Sequence, residues 1–161
     1  MTRLRFVVLT LAMLLGLGIV ANAQNAGDNG PLGTWVVTVT PPAASGIPAF
    51  ATIYTFASGG ALIVTSQIDH LVPNVGLQQG SWRRGDHGEI NSTLLAFLYD
   101  PTVTAVGMLK IRATYDFSVS GTFTGRGQQA FCDLNGGNCA WLPGSATLTG
   151  KLVEVEEPAE P

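Results

Sequence analysis

Residues 108–119, MLKIRATYDFSV, decide the fold. Leu109, Ile111, Ala113, Tyr115, Phe117 and Val119 alternate with Met108, Lys110, Arg112, Thr114, Asp116 and Ser118. A period of two, with apolar side chains on one set of positions, describes a strand that keeps one face in a core and the other in water. The face carrying Lys110, Arg112 and Asp116 is then expected to be the outer one, with ordinary solvated charges; as an interior face it would instead form a polar pocket able to hold a carboxylate ligand. Such a strand needs neighbours, and the flanking sequence supplies them.

Working outward, Ser120-Gly121 is a turn into Thr122 to Phe131, and Asp100-Pro101 closes a preceding strand, Glu89 to Tyr99. Gly85-Asp86-His87-Gly88 is the tight turn between that strand and a short one, Gly80 to Arg84. Further upstream, Ala61 to Gln67 and Phe50 to Phe56 flank Ser58-Gly59-Gly60 as a hairpin. A first strand runs from Gly33 through Thr40, with Trp35, Val37 and Val39 on one face. Ser145 to Val155 ends the series, and no stretch of ten residues or more has helical periodicity. The expected fold class is therefore all-β, an eight-stranded antiparallel meander. Closure into a barrel removes the exposed edges that such a sheet would otherwise carry.

The domain organisation around this barrel, residues 33–155, is simple. Met1-Thr-Arg-Leu-Arg5 is a basic leader, Phe6 to Val20 is an uncharged run of 15 residues, and Ala21-Asn22-Ala23 is a small-x-small cleavage site. The run is short of the roughly 20 residues that span a bilayer. The expectation is a cleaved signal peptide over 1–23, cut between Ala23 and Gln24, with a secreted or periplasmic product and no stable membrane insertion after cleavage. Residues 24–32 read as a flexible N-terminal segment and 156–161 as an acidic, Pro-containing tail. Without the leader, eleven Asp and Glu face six Lys and Arg, a net charge of −5. Four of those acids fall in the last eight residues, and no basic stripe is present, which excludes a nucleic-acid partner. Cys132 and Cys139, separated by a turn-rich Asp133-Leu-Asn-Gly-Gly-Asn138, are expected to form a disulfide in an oxidising compartment.

Two motifs carry a family resemblance. Gly33-Thr34-Trp35 at the first strand resembles the Gly-x-Trp signature of lipocalins and related calycin barrels, and Gly80-Ser81-Trp82 repeats it. Together with Tyr54-Thr-Phe56 before Gly59-Gly60, and with Phe123-Thr-Gly125, these motifs resemble a group of exported bacterial barrels of lipocalin-like or allene oxide cyclase-like architecture. The resemblance implies that a basic side chain of a late strand, here Lys151, packs over Trp35.

Candidate site residues follow from the aromatic positions. Trp35, Tyr54, Phe56, Trp82, Phe97 and Tyr115 describe either a packed core or the lining of an apolar cavity for a small apolar or amphipathic ligand. Binding without catalysis is the leading expectation. One alternative is a cyclase or isomerase of the allene oxide cyclase barrel type, with Glu89, Asn91 or Tyr54 assisting inside the barrel. The other is a fully packed interaction module. Nucleophile and phosphate-loop motifs are absent, so no catalytic residue is assigned and no cofactor is expected. Asp86-His87-Gly88-Glu89 and Asp69-His70 read as polar turns, not as a metal site, and Asp133, Asn135 and Asn138 as turn chemistry. Oligomeric state is left open by the sequence.

Overall fold

The computed structural model describes residues 31–67 and 75–157. The leader and its cleavage site, Asp69 and His70, and the last residues of the tail lie outside them. The elements are β1 (Gly33–Thr40), β2 (Phe50–Phe56), β3 (Ala61–Ser66), β4 (Gln78–Arg84), β5 (Ile90–Tyr99), β6 (Ala105–Phe117), β7 (Thr122–Cys132), β8 (Ala140–Trp141) and β9 (Ala146–Leu152). Every pairing is antiparallel. From β1 to β7 each strand pairs with the next, β7 pairs with β9, and β9 returns to β1. The sheet is a closed barrel of eight staves. No described helix is long and apolar enough to cross a membrane.

The eighth stave is broken, which the sequence did not announce. β9 covers the first half of β7, from Thr122 to Gly127, and the two-residue β8 pairs with Ala130 and Phe131 farther along. Proline and glycine in Leu142-Pro143-Gly144-Ser145 interrupt the ladder between them. Cys132 ends β7, Cys139 precedes β8, and the two are bonded as a disulfide. Closing this short loop is worth ~2.5 kcal/mol in the chain-entropy model. Asp133 organises the loop: its Oδ1 accepts from the Asn135 and Gly137 amides at 3.0 and 2.8 Å, and its Oδ2 from Asn138 Nδ2 at 2.9 Å. The loop also reaches back to the outer wall, where Lys110 Nζ donates to Gly136 O at 2.7 Å.

Alternation places the core along the barrel axis. Val37, Leu62, Leu94 and Tyr115 are fully buried, and their sequence neighbours Val36, Ile63 and Thr114 face outward and are exposed. Each large apolar side chain so buried contributes about 1.5–3 kcal/mol. On β6 the outer set is Lys110, Arg112, Thr114 and Asp116, in agreement with the period-two reading. The expectation for Lys151 is overturned. In register Lys151 stands opposite Val36, not Trp35, and both point away from the core. A residue one position out of phase on a strand belongs to the opposite face, so no charge caps Trp35 from β9.

Candidate functional site

Five of the six sequence-selected aromatics meet inside the barrel. Trp35 lies edge-on to Phe117 with ring centroids 4.9 Å apart, and its Nε1 donates to Pro31 O at 2.8 Å. Trp82 packs against Phe56 at 6.1 Å and its Nε1 donates to Ala57 O at 3.0 Å. Phe56 also touches Tyr115 and Phe117, both at 5.6 Å, and Tyr54 faces Tyr115 at 6.1 Å. These T-shaped contacts fill the axis with rings packed on one another. The sixth, Phe97, is not part of the cluster: it sits on the outer face of β5, 44 % exposed, with its ring against Tyr99.

A short chain of hydroxyls crosses this core. The Tyr54 and Tyr115 hydroxyls are hydrogen-bonded to each other. Tyr115 Oη is 2.9 Å from Ser92 Oγ. No buried side-chain nitrogen or oxygen among the described residues is left without a partner. Burial first, and then the neighbouring Tyr115, pushes the Tyr54 phenol well above its ordinary value. Burial likewise raises Tyr115 to about 12, against the opposing pull of its bonds to Ser92 and Tyr54.

This has a pH consequence. A group with a raised folded pKa contributes its full stability below its unfolded value near 10.0, and loses it as pH climbs through about 12. Across that window the barrel is expected to lose about 2–3 kcal/mol through Tyr115 alone. Tyrosinate absorbance followed beside near-ultraviolet circular dichroism checks this. Ionisation of these two phenols near their ordinary value, with the tertiary signal intact, would contradict the buried pair.

The polar groups suggested for catalysis do not converge. Tyr54 is inside, and Glu89 and Asn91 lie at the outer surface. Glu89 belongs to the exposed turn, where its Oε2 accepts from the His87 amide at 3.0 Å and its Oε1 from Asn91 Nδ2 at 3.1 Å. Its carboxyl is held below the usual range, first by its own backbone amide and then by Asn91. Among the described residues no group of His, Cys, Asp and Glu is arranged to hold a metal ion.

The distinctive concavity is on the outside, across β4, β5, β6 and β7, with a volume of about 560 Å³. Register explains its composition. Arg83 stands opposite Asn91, Asn91 opposite Thr114, and Thr114 opposite Arg126, so one row across four strands has a cation at each end. The adjacent row is Ser81, Thr93, Arg112 and Gln128. With strands about 4.8 Å apart, a row spans roughly 14 Å. Thr114 Oγ1 donates to Asn91 Oδ1 at 2.7 Å, which fixes the amide in the groove. The Arg112 guanidinium lies 4.8 Å from the centroid of Trp141, a stacking that holds its fork in place. The lining contains three arginines and no acid.

Sequence reasoning placed Arg112 on the outer face but missed the groove. Arg83 and Arg126 are 43 positions apart in the chain and come to share one cross-strand row only through the registers of three consecutive ladders. The periodicity of each strand was the available signal; register was not. The class of molecule is thus a closed, eight-stranded antiparallel β-barrel with a ring-packed interior and a cationic groove on its outer wall. No protein-family model, curated protein or solved structure matches the chain.

Proposed function

We propose that this protein is an exported, non-catalytic binding module that takes an anionic small molecule in the groove across β4 to β7. The observation carrying this reading is the pairing of Arg83 and Arg126 at the two ends of one cross-strand row, with Arg112 between them in the next, in a lining without acids. Guanidinium forks bind carboxylate, sulfate or phosphate bidentately, and such charge-assisted bonds are about twice as strong as neutral ones. Asn91, Thr93, Thr114 and Gln128 add neutral donors and acceptors between the cations. A ligand with two anionic groups about a row length apart suits the site better than a compact ion. The interior supports the scaffold role: its rings pack against one another and its hydroxyls are mutually satisfied. The Cys132–Cys139 disulfide fits the oxidising compartment that the leader implies.

The test uses protein recovered from its host after export, which begins at Gln24 if the leader is removed as read. Calorimetric titration with inorganic triphosphate and with a short oligogalacturonate compares the wild type with the triple variant Arg83→Gln, Arg112→Gln, Arg126→Gln. Each lost charge-assisted bond is worth about 1.5–3 kcal/mol, so the variant is expected to bind at least about a hundredfold more weakly. Equal affinity of variant and wild type, or no binding of either probe at low salt, would overturn the proposal.

A further inference from the structure

The outer face of β7 changes character along its length. Arg126 and Gln128 are exposed, as outward positions should be, yet the next two on that face, Ala130 and Cys132, are buried. Their register leaves no doubt about direction: Ala130 stands opposite Lys110, and Cys132 opposite Met108, in the outer set of β6. Ala130 lies between Lys110 and Trp141 in one row, and the loop closed by Cys132–Cys139 folds back over this part of the wall. Lys110 Nζ holds Gly136 O at 2.7 Å, and a Cβ on Gly136 would lie 3.6 Å from Met108 Sδ. Trp141 ends the covered patch on the side of the groove, where the Arg112 guanidinium stacks on the indole at 4.8 Å.

We infer that Trp141 is a positioning residue of the anion groove and that the disulfide loop is the strap that holds it there. The bridge fixes β8, β8 presents Trp141, and Trp141 keeps Arg112 in place with its fork free for the ligand. The ligand in this role rests on the anion-groove reading; the geometry rests on packing alone. β8 has two residues, pairs only with Ala130 and Phe131, and is extended by one bond, from the Leu142 amide to Gln129 O at 2.9 Å. A ladder so short frays unless it is tied down. The tie is needed here, because β9 begins its pairing only at Gly127. Gln128, the partner of Arg112, therefore has no ladder residue on its far side, and Trp141 is what flanks the Arg112 side chain there. Stacking occupies the face of a guanidinium and leaves its in-plane N–H groups free, which are the groups that grip an anion bidentately. An Arg112 released from the indole has to be ordered afresh each time a ligand binds. That ordering cost corresponds to about two- to tenfold in affinity.

A dithiol reductant opens the strap. One of its thiolates attacks the half-buried Cys139 Sγ, and Cys132, the more buried partner, leaves as a thiolate and takes up a proton. The second thiol of the reductant then displaces Cys139, so the protein gains two thiols and the reductant ends as a disulfide. Two readouts follow the result in isotope-labelled protein: the Arg112 Nε–H resonance, which the indole ring current displaces, and calorimetric titration with inorganic triphosphate. Reduction and Trp141→Leu are each expected to return the Arg112 signal to the position of a free arginine and to weaken binding about two- to tenfold. The amide signals of β1 to β5 are expected to stay in place. In Arg112→Gln, where Arg83 and Arg126 act without it, neither change is expected to weaken binding further. A merely structural bridge would weaken binding in that background as well, and such a loss would overturn the strap. So would an Arg112 signal indifferent to reduction, or unfolding of the whole barrel on reduction, since the bridge would then hold the fold and not one side chain. Trp141→Leu keeps the bridge, and an unchanged Arg112 signal in that variant would overturn the role of the indole. A wild type that binds neither triphosphate nor oligogalacturonate, but whose Arg112 signal still answers to reduction, would sink the groove reading and leave the strap standing.

Discussion

Phe56→Ala is expected to destabilise the barrel by about 3–5 kcal/mol, a large share of the 5–15 kcal/mol that separates a domain of this size from its unfolded state. The Phe56 side chain is 1 % exposed and lies at the centre of the interior cluster, with Tyr54, Trp82, Tyr115 and Phe117 in ring contact around it. Its removal costs the transfer of the ring and also the cavity left behind. That cavity cannot collapse readily, because the surrounding side chains rise from three different strands, β2, β4 and β6, whose registers are locked by closure of the sheet. Urea unfolding followed by tryptophan fluorescence measures the effect. The midpoint should fall with little change in slope, as for a loss of packing without a change in the denatured state. A loss below about 1 kcal/mol would mean that the interior has room to relax. In that event a small apolar ligand among Trp35, Tyr54, Phe56, Trp82 and Tyr115 would again be the better reading.

The staves and their inward faces were legible because burial on a strand has a period of two. The run from Leu109 to Phe117 faces inward at every second position, and Asp100-Pro101 and Ser120-Gly121 bound their strands as turn chemistry requires. Positions that depend on register were not legible. Lys151 was matched to Trp35 by family likeness, but the ladder sets it beside Val36 on the other face. Phe97 was grouped with the core aromatics by residue type, yet its neighbours Ala96 and Leu94 take the inner positions and turn it outward. The broken eighth stave depends on where Cys139 is drawn back to Cys132, a tertiary constraint that local propensity does not encode. The arginine groove has the same origin. It is assembled from residues of several strands, and only the closed sheet shows that they share a face.

Register also gives the Gly-x-Trp repeat a physical meaning here, and that meaning predicts a sharp contrast between two glycines. In both copies the indole plugs the interior and donates to the carbonyl of a flanking segment, Trp35 to Pro31 and Trp82 to Ala57. Two residues earlier the backbone is approached closely. A Cβ on Gly80 would collide with the Thr93 carbonyl oxygen and lie 2.8 Å from Leu94 Cα, both on the paired strand β5. Backbone cannot rotate away as a side chain can, so Gly80→Ala must push β4 off β5 and break ladder bonds next to Trp82. Its expected cost is about 3 kcal/mol, the upper end for overpacking. Gly127 on β7 is the opposite case. A Cβ there would meet Leu148 Cδ1 at 3.5 Å and Ala113 Cβ at 3.6 Å, ordinary contacts. Gly127→Ala is expected to stabilise the fold by about 0.4–1 kcal/mol, because it restricts the unfolded chain at no steric cost. Parallel urea titrations of the two variants measure the difference. If Gly80→Ala is as mild as Gly127→Ala, the β4–β5 approach can open freely, and the glycine of the motif has no steric reason to be there.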